Sequence, residues 1–266
     1  MWFLIIGVCR AQTLRNPVAA SYIGLTAYSN YHPDAFSFTA NQAALASVKN
    51  SSAGVYGEKR FLLRELNNFL AVLVLPFSSG NFGARAGYFG SFDYNETQLG
   101  IAYGRKLGSK VDIGAQFSYY SIHIAGYGNA SVISAEAGMV LHLTESLHTG
   151  IHFANPAGGD FGKNLPEKLP AVYTMGLGYD VSEKFFVSAE IKKEEDQPVN
   201  INAGLQYDFL PQVLTRIGIS ATTSSAWIGV GIKLHAIRID ITAAYHSQLG
   251  ISPGLLVAFN FNNKEN

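Results

Sequence analysis

The 266-residue sequence holds a single cysteine, Cys9, so neither a disulfide scaffold nor a thiolate metal site can be built from it. Charge is scarce as well. Only 14% of residues are Asp, Glu, Lys or Arg, where a soluble domain carries roughly a quarter. Nineteen basic residues balance nineteen acidic ones, so the basic surplus that a nucleic-acid partner demands is missing. Long hydrophobic runs are also missing. The longest beyond the extreme N-terminus, residues 69–77, falls far short of the ~20 apolar residues of a spanning helix. The Gly-x-Ser-x-Gly match at 250–254 runs into an alternating strand segment and not a helix, so it forms no nucleophile elbow, and the glycine-rich stretches 83–90 and 229–231 precede no helix. A serine nucleophile and a phosphate cradle therefore find no support, and neither a catalytic residue nor a cofactor is expected.

What is present is glycine (27 residues), aromatics (12%) and 48% hydrophobic residues overall, a profile incompatible with disorder. Residues 1–12 read as a compact secretory signal without its usual charged start. From about residue 50 onward one rhythm takes over. In 199–209, Ile201, Ala203, Leu205, Tyr207 and Phe209 alternate with Asn200, Asn202, Gly204, Gln206 and Asp208. The same alternation runs through 237–246 and 111–120. A period of two residues means strands with one apolar and one polar face.

Turn residues separate fourteen such segments, near 51–60, 68–77, 81–90, 95–105, 111–122, 130–143, 147–154, 171–180, 184–193, 199–209, 213–221, 225–235, 237–246 and 253–261. A soluble sandwich or propeller would bury the apolar faces and put Lys and Glu on the outside. Here the charges sit in turns or recur singly on the polar face, at Arg85, Asp112, Glu136, Glu190, Arg216, Lys233, Arg238 and Asp240. The rest of that face is Gly, Ser, Asn and Gln, which suits a crowded lumen. Aromatics gather at segment ends, among them Phe77, Tyr103, Phe209 and Phe261, as interfacial girdles require. Short and longer connections alternate, which fits turns on one side of a membrane and loops on the other. The expectation is an all-β transmembrane antiparallel barrel of about fourteen strands over 51–266, in a bacterial outer membrane and in contact with its lipid.

Residues 13–50 do not alternate, yet they are aromatic and poor in charge. That composition predicts burial in the barrel as a plug, with Phe36, Phe38, Asn41 and Leu45 among its packing residues. Within it, residues 35–46, Ala-Phe-Ser-Phe-Thr-Ala-Asn-Gln-Ala-Ala-Leu-Ala, resemble the Asn-Pro-Ala-rich signature of FadL-like barrels. More closely they resemble the Bacteroidetes PorV/PorQ branch, with Gln42 where that signature has proline. Asn155-Pro156 and the stretch 165–179 resemble a strand start common in that branch. The resemblance implies fourteen strands, an N-terminal hatch, and one of two functions. One is a passive conduit for a hydrophobic small molecule; the other is a docking partner for type IX secretion or another outer-membrane protein.

The segment 68–77 is apolar on both faces. Leu70, Val72 and Val74 therefore point inward, either packing against the plug or walling an apolar ligand path. The histidines offer no metal site. His148 and His152 share a face but stand about 13 Å apart at ~3.3 Å per residue, while His142 and His148 face one another across a tight hairpin as lumenal polar neighbours.

Overall fold

The computed structural model describes residues 24–161, 168–222 and 225–261; the expected signal 1–12, residues 13–23 of the expected plug and the tail 262–266 lie outside them. In chain order the strands are β1 (Ser52–Lys59), β2 (Asn67–Phe77), β3 (Gly80–Gly90), β4 (Tyr94–Leu107), β5 (Val111–Ile124), β6 (Gly128–His142) and β7 (Leu147–Ala154). There follow β8 (Gly159–Asp160), β9 (Lys168–Leu169), β10 (Val172–Ser182), β11 (Phe185–Glu194) and β12 (Asn200–Leu210). The last four are β13 (Val213–Ser220), β14 (Ser225–Leu234), β15 (Ile237–His246) and β16 (Gly250–Asn260). All but β8 and β9 pair with their neighbours in one antiparallel sheet, which closes when β1 pairs with β16 in the register Val55↔Val257. The result is a closed barrel of fourteen strands. Closure removes every free edge, the condition for a sheet to stand in hydrocarbon.

The two faces follow the sequence alternation. Ile201, Ile239 and Ile241 project outward and are exposed, whereas Asn202, Gln206, Asp240 and Thr242 are buried inside. No shared dry core joins the outward isoleucines. An eleven-residue strand such as β2 is about 36 Å long at ~3.3 Å per residue. Tilted by about 40°, it matches an apolar band of about 25 Å. Ring pairs mark the rims. Phe82 stacks at 5.6 Å on Phe77 and 5.0 Å on Tyr103, and Tyr207 at 4.7 Å on Phe209. Each pair lies beside a short turn, where an amphipathic ring meets the interface.

Two prolines stand inside strands. Pro253 pairs with Ala243 of β15, and Pro76 with Asn81 of β3. The sequence reading starts the last strand at Pro253, but the strand begins three residues earlier, at Gly250. A proline is tolerated there because β1 ends at the Glu58↔Gly254 pair on one side and the Ser52↔Val74 pair on the other. Both prolines therefore have a neighbour on one side only, and their missing N–H deprives no ladder. The long connection between β7 and β10 contains the β8–β9 ladder. Phe161 and Leu169 from this loop bury against Ile122 and Ala130, which folds it over the barrel end.

Residues 24–50 contain three short 3-10 segments and pack against strands around the inner wall. A Cβ at Gly54 would meet the Phe36 ring, one at Gly83 would meet Leu45 and Phe38, and one at Gly204 would meet Leu25. Phe36, Phe38, Leu45, Leu25 and Tyr28 join Leu70, Val72 and Val74 in one buried cluster.

Charge on the lipid face tests the architecture. Ile241→Arg, at an outward position near the middle of β15, should destabilise the folded barrel in lipid by about 2–4 kcal/mol, measured by denaturant unfolding in vesicles. An unchanged midpoint would place that face in water.

Candidate functional site

The N-terminal segment is fastened to the wall at three places. The first lies near the short turns of β12–β15. Asp34 Oδ2 accepts from Arg238 Nη2 at 2.7 Å and lies 3.5 Å from Arg216 Nη2. Both guanidiniums also reach Asp240, Arg216 Nη1 at 2.9 Å and Arg238 Nε at 3.1 Å. Two anions and two cations thus balance inside the barrel, as buried charges must. Burial pushes the Asp34 carboxyl up, but Arg238 and Arg216, aided by the Phe36 N–H, outweigh it and hold the group below its ordinary value.

The second lies under the β6–β7 hairpin and is a chain of four side chains. His142 Nε2 lies 3.1 Å from Asp112, the two imidazoles meet Nδ1 to Nδ1 at 2.9 Å, and His148 Nε2 lies 3.1 Å from Asp180. Each ring thus sits between a carboxylate and the other imidazole. The N-terminal segment closes both ends of this chain. Ser47 Oγ donates to Asp112 at 3.0 Å; Ser29 Oγ and the Asn30 N–H donate to Asp180 at 2.6 and 2.8 Å.

The third fastening is central. Asn41 caps the 3-10 segment Gln42–Ser47 by accepting from the Ala43 N–H at 3.1 Å. Its Nδ2 donates to the Met139 and Ile151 carbonyls at 3.3 and 3.1 Å. This close approach depends on Gly138, where a Cβ would collide with Asn41 Oδ1. Gln42, standing in place of proline, uses its amide: Nε2 donates to Glu136 Oε2 at 2.8 Å.

Above this segment, at the loop end, a cavity of about 470 Å³ opens, with Thr39 and Ala40 among its lining residues. Its wall carries Arg85, Gln98, Glu136, His152, Glu190 and Asn202, and nearer the mouth Phe61, Leu169, Pro170, Tyr245 and Leu249. The chamber is polar in the barrel, and its rim sets these apolar side chains among Arg60, Lys192, Glu194, Gln197 and His246. Its volume falls within the range of small-molecule pockets.

Of the residues singled out in the sequence, Phe36, Phe38, Asn41 and Leu45 lie together inside the barrel and are fully buried. Leu70, Val72 and Val74 pack against them in the same cluster and are absent from the chamber wall. Leu70 also borders a hollow of about 330 Å³ on the outer wall, with Phe69, Gly87 and Leu99. His142 and His148 are neighbours, as their spacing across the hairpin implies. Their carboxylate partners lie about thirty residues away on other strands, beyond the reach of local pattern. Asp34 had a signal that was overlooked, because it is the single acidic residue in 13–50.

No protein-family model and no curated protein sequence matches the chain. Solved structures do. A CymD monoaromatic hydrocarbon channel is similar at a TM-score of 0.65 and 12% identity, over 89% of this chain and 98% of that one. A Pseudomonas aeruginosa FadL homologue gives 0.65 and 11%, over 94% and 100%. The Pseudomonas putida toluene transporter TodX gives 0.60 and 13%, over 93% and 97%. At this identity the likeness establishes the shared fold.

The Asp34 cluster carries a pH dependence of known sign. A depressed carboxyl contributes stability in full above the unfolded value, about pH 4, and loses it as pH falls through the lower folded value. Asp34→Asn at neutral pH should release the segment and cost about 3 kcal/mol, since two buried guanidiniums then share one carboxylate. Hydrogen exchange of residues 24–50 at pH 7 and below pH 3 checks both statements. Protection equal to the parent's in the variant would refute the role.

Proposed function

We propose that this chain is an outer-membrane barrel of a bacterium that passes small, largely apolar molecules through a lumen plugged by residues 13–50. The observation that carries the reading is the chamber, which is open at the loop end, carries Phe61, Leu169 and Leu249 as apolar patches on its rim and is floored by Thr39 and Ala40 of the N-terminal segment. An apolar solute enters such a rim by surface burial, at roughly 25 cal/mol per Å². The fold shared with barrels described as a monoaromatic hydrocarbon channel and a toluene transporter supports a solute of that size. Below the floor, Leu70, Val72 and Val74 with Phe36, Phe38 and Leu45 form the apolar strip along which the solute would move. Passage requires the segment to yield. Leu70 borders both this strip and the outer hollow, with the ladders to β1 and β3 unbroken on either side of it.

Uptake tests the reading. Cells whose lipopolysaccharide outer membrane carries the barrel should take up labelled toluene severalfold faster than cells without it. Ala40→Trp, which fills the chamber floor, should remove most of the gain. A folded barrel that adds no uptake and co-purifies with a large outer-membrane protein would favour the PorV/PorQ-like docking role instead.

A further inference from the structure

The inward carboxylates of the strands differ in one respect. Glu58 pairs with Arg60, Asp112 with His142, Glu136 with His152, Asp180 with His148, Asp208 with Lys233, and Asp240 with two arginines, while Glu96, away from the chamber wall, accepts from the Tyr94 hydroxyl at 2.6 Å. Glu190 on β11 is 6% exposed and lines the chamber, yet among the described residues it forms no ion pair. Its one hydrogen bond comes from a neutral amide, Asn202 Nδ2 to Oε1 at 2.8 Å. The chamber residues that could neutralise it are committed or apart. His152 Nε2 is 3.2 Å from Glu136 Oε2. Lys192 lies two residues further along the same face of β11, opposite Asn200 and Thr174, and makes no ion pair with Glu190. A carboxylate offers about four acceptor sites, and a buried one without a cation is costly. Glu190 therefore presents unused acceptor capacity to a cavity whose rim carries the apolar side chains of Phe61, Leu169 and Leu249.

We infer that Glu190 is the anchor for a hydrogen-bond-donating head group on an otherwise apolar ligand, a primary ammonium above all and a hydroxyl second. This assignment rests on the chamber being the solute site proposed above. It narrows the solute class to a small hydrophobic body with a donor at one end, the body against Phe61, Leu169 and Leu249 and the head at Glu190. A ligand carrying its own carboxylate is disfavoured by the same residue. Water is the competing occupant, and it carries no preference among head groups.

Isothermal titration of the detergent-solubilised full chain against toluene, benzyl alcohol, benzylamine and benzoate, with micelle blanks, decides the matter. Benzylamine should bind roughly tenfold tighter than toluene, as one charge-assisted hydrogen bond provides, with benzyl alcohol between them and benzoate weakest. The benzylamine-to-toluene ratio should fall towards one in Glu190→Gln and persist in Glu190→Asp and in Glu145→Gln, a substitution on an exposed turn. Heat-modifiable gel migration reports whether each variant has folded. If toluene binds and benzylamine binds no tighter, the role of Glu190 is overturned while the conduit reading stands. A ratio unchanged in folded Glu190→Gln overturns it equally. If none of the four binds, the conduit reading fails first.

Discussion

Hydrocarbon outside the barrel leaves no polar solvent at the wall, so every polar group of the strands must find its partner within the sheet or the lumen. The sheet satisfies the backbone by closing β1 on β16. The side chains are harder, because the same alternation that puts Ile239 and Ile241 in lipid puts Asp240 inside. Arg216 and Arg238 each answer Asp240, and Asp34 completes a neutral set of four. Most charged groups in this lumen have had a counter-charge brought to them, with Glu190 the departure.

The N-terminal segment supplies many of those partners. The side chains of Ser29, Asp34, Asn41, Gln42 and Ser47 and the backbone N–H of Asn30 reach fixed groups on β6, β10, β15, β5 and their neighbours. The aromatic residues between them, Tyr28, Phe36 and Phe38, fill the remaining space. Glycines on the wall make the approach possible. The Tyr28 ring occupies the position a Cβ at Gly176 would take, so the glycine content of the strands reflects packing against this segment as well as strand geometry. Phe36, Phe38 and Leu45 join Leu70, Val72 and Val74 to form the apolar core that the lumen otherwise lacks.

Period-two alternation made the strands legible to within a few residues, because lipid on one face and polar packing on the other impose the same pattern on every segment. Where a local rule was followed too literally, the reading slipped. Pro253 looked like a boundary, although position in the sheet, with β1 already ended, makes it harmless. The β8–β9 ladder is too short to leave a periodic trace. The site was less legible for a different reason. The links His142–Asp112, His148–Asp180 and Gln42–Glu136 join residues thirty to ninety-four positions apart. Register around a closed sheet creates those contacts, and a single sequence does not contain the register.

Polarity in the lumen and an apolar solute are compatible once the polar groups are paired. Glu136 accepts from Gln42, Gln116 and Ser118 and faces His152, so it offers little to a passing molecule and costs little beside one. A fully satisfied network behaves towards a solute as a surface of low appetite, neither holding it nor requiring it to displace tightly bound partners. On the proposed reading, affinity would come from burial against apolar side chains at the mouth, and selectivity would fall to a carboxylate without a counter-charge, as Glu190 on β11 is.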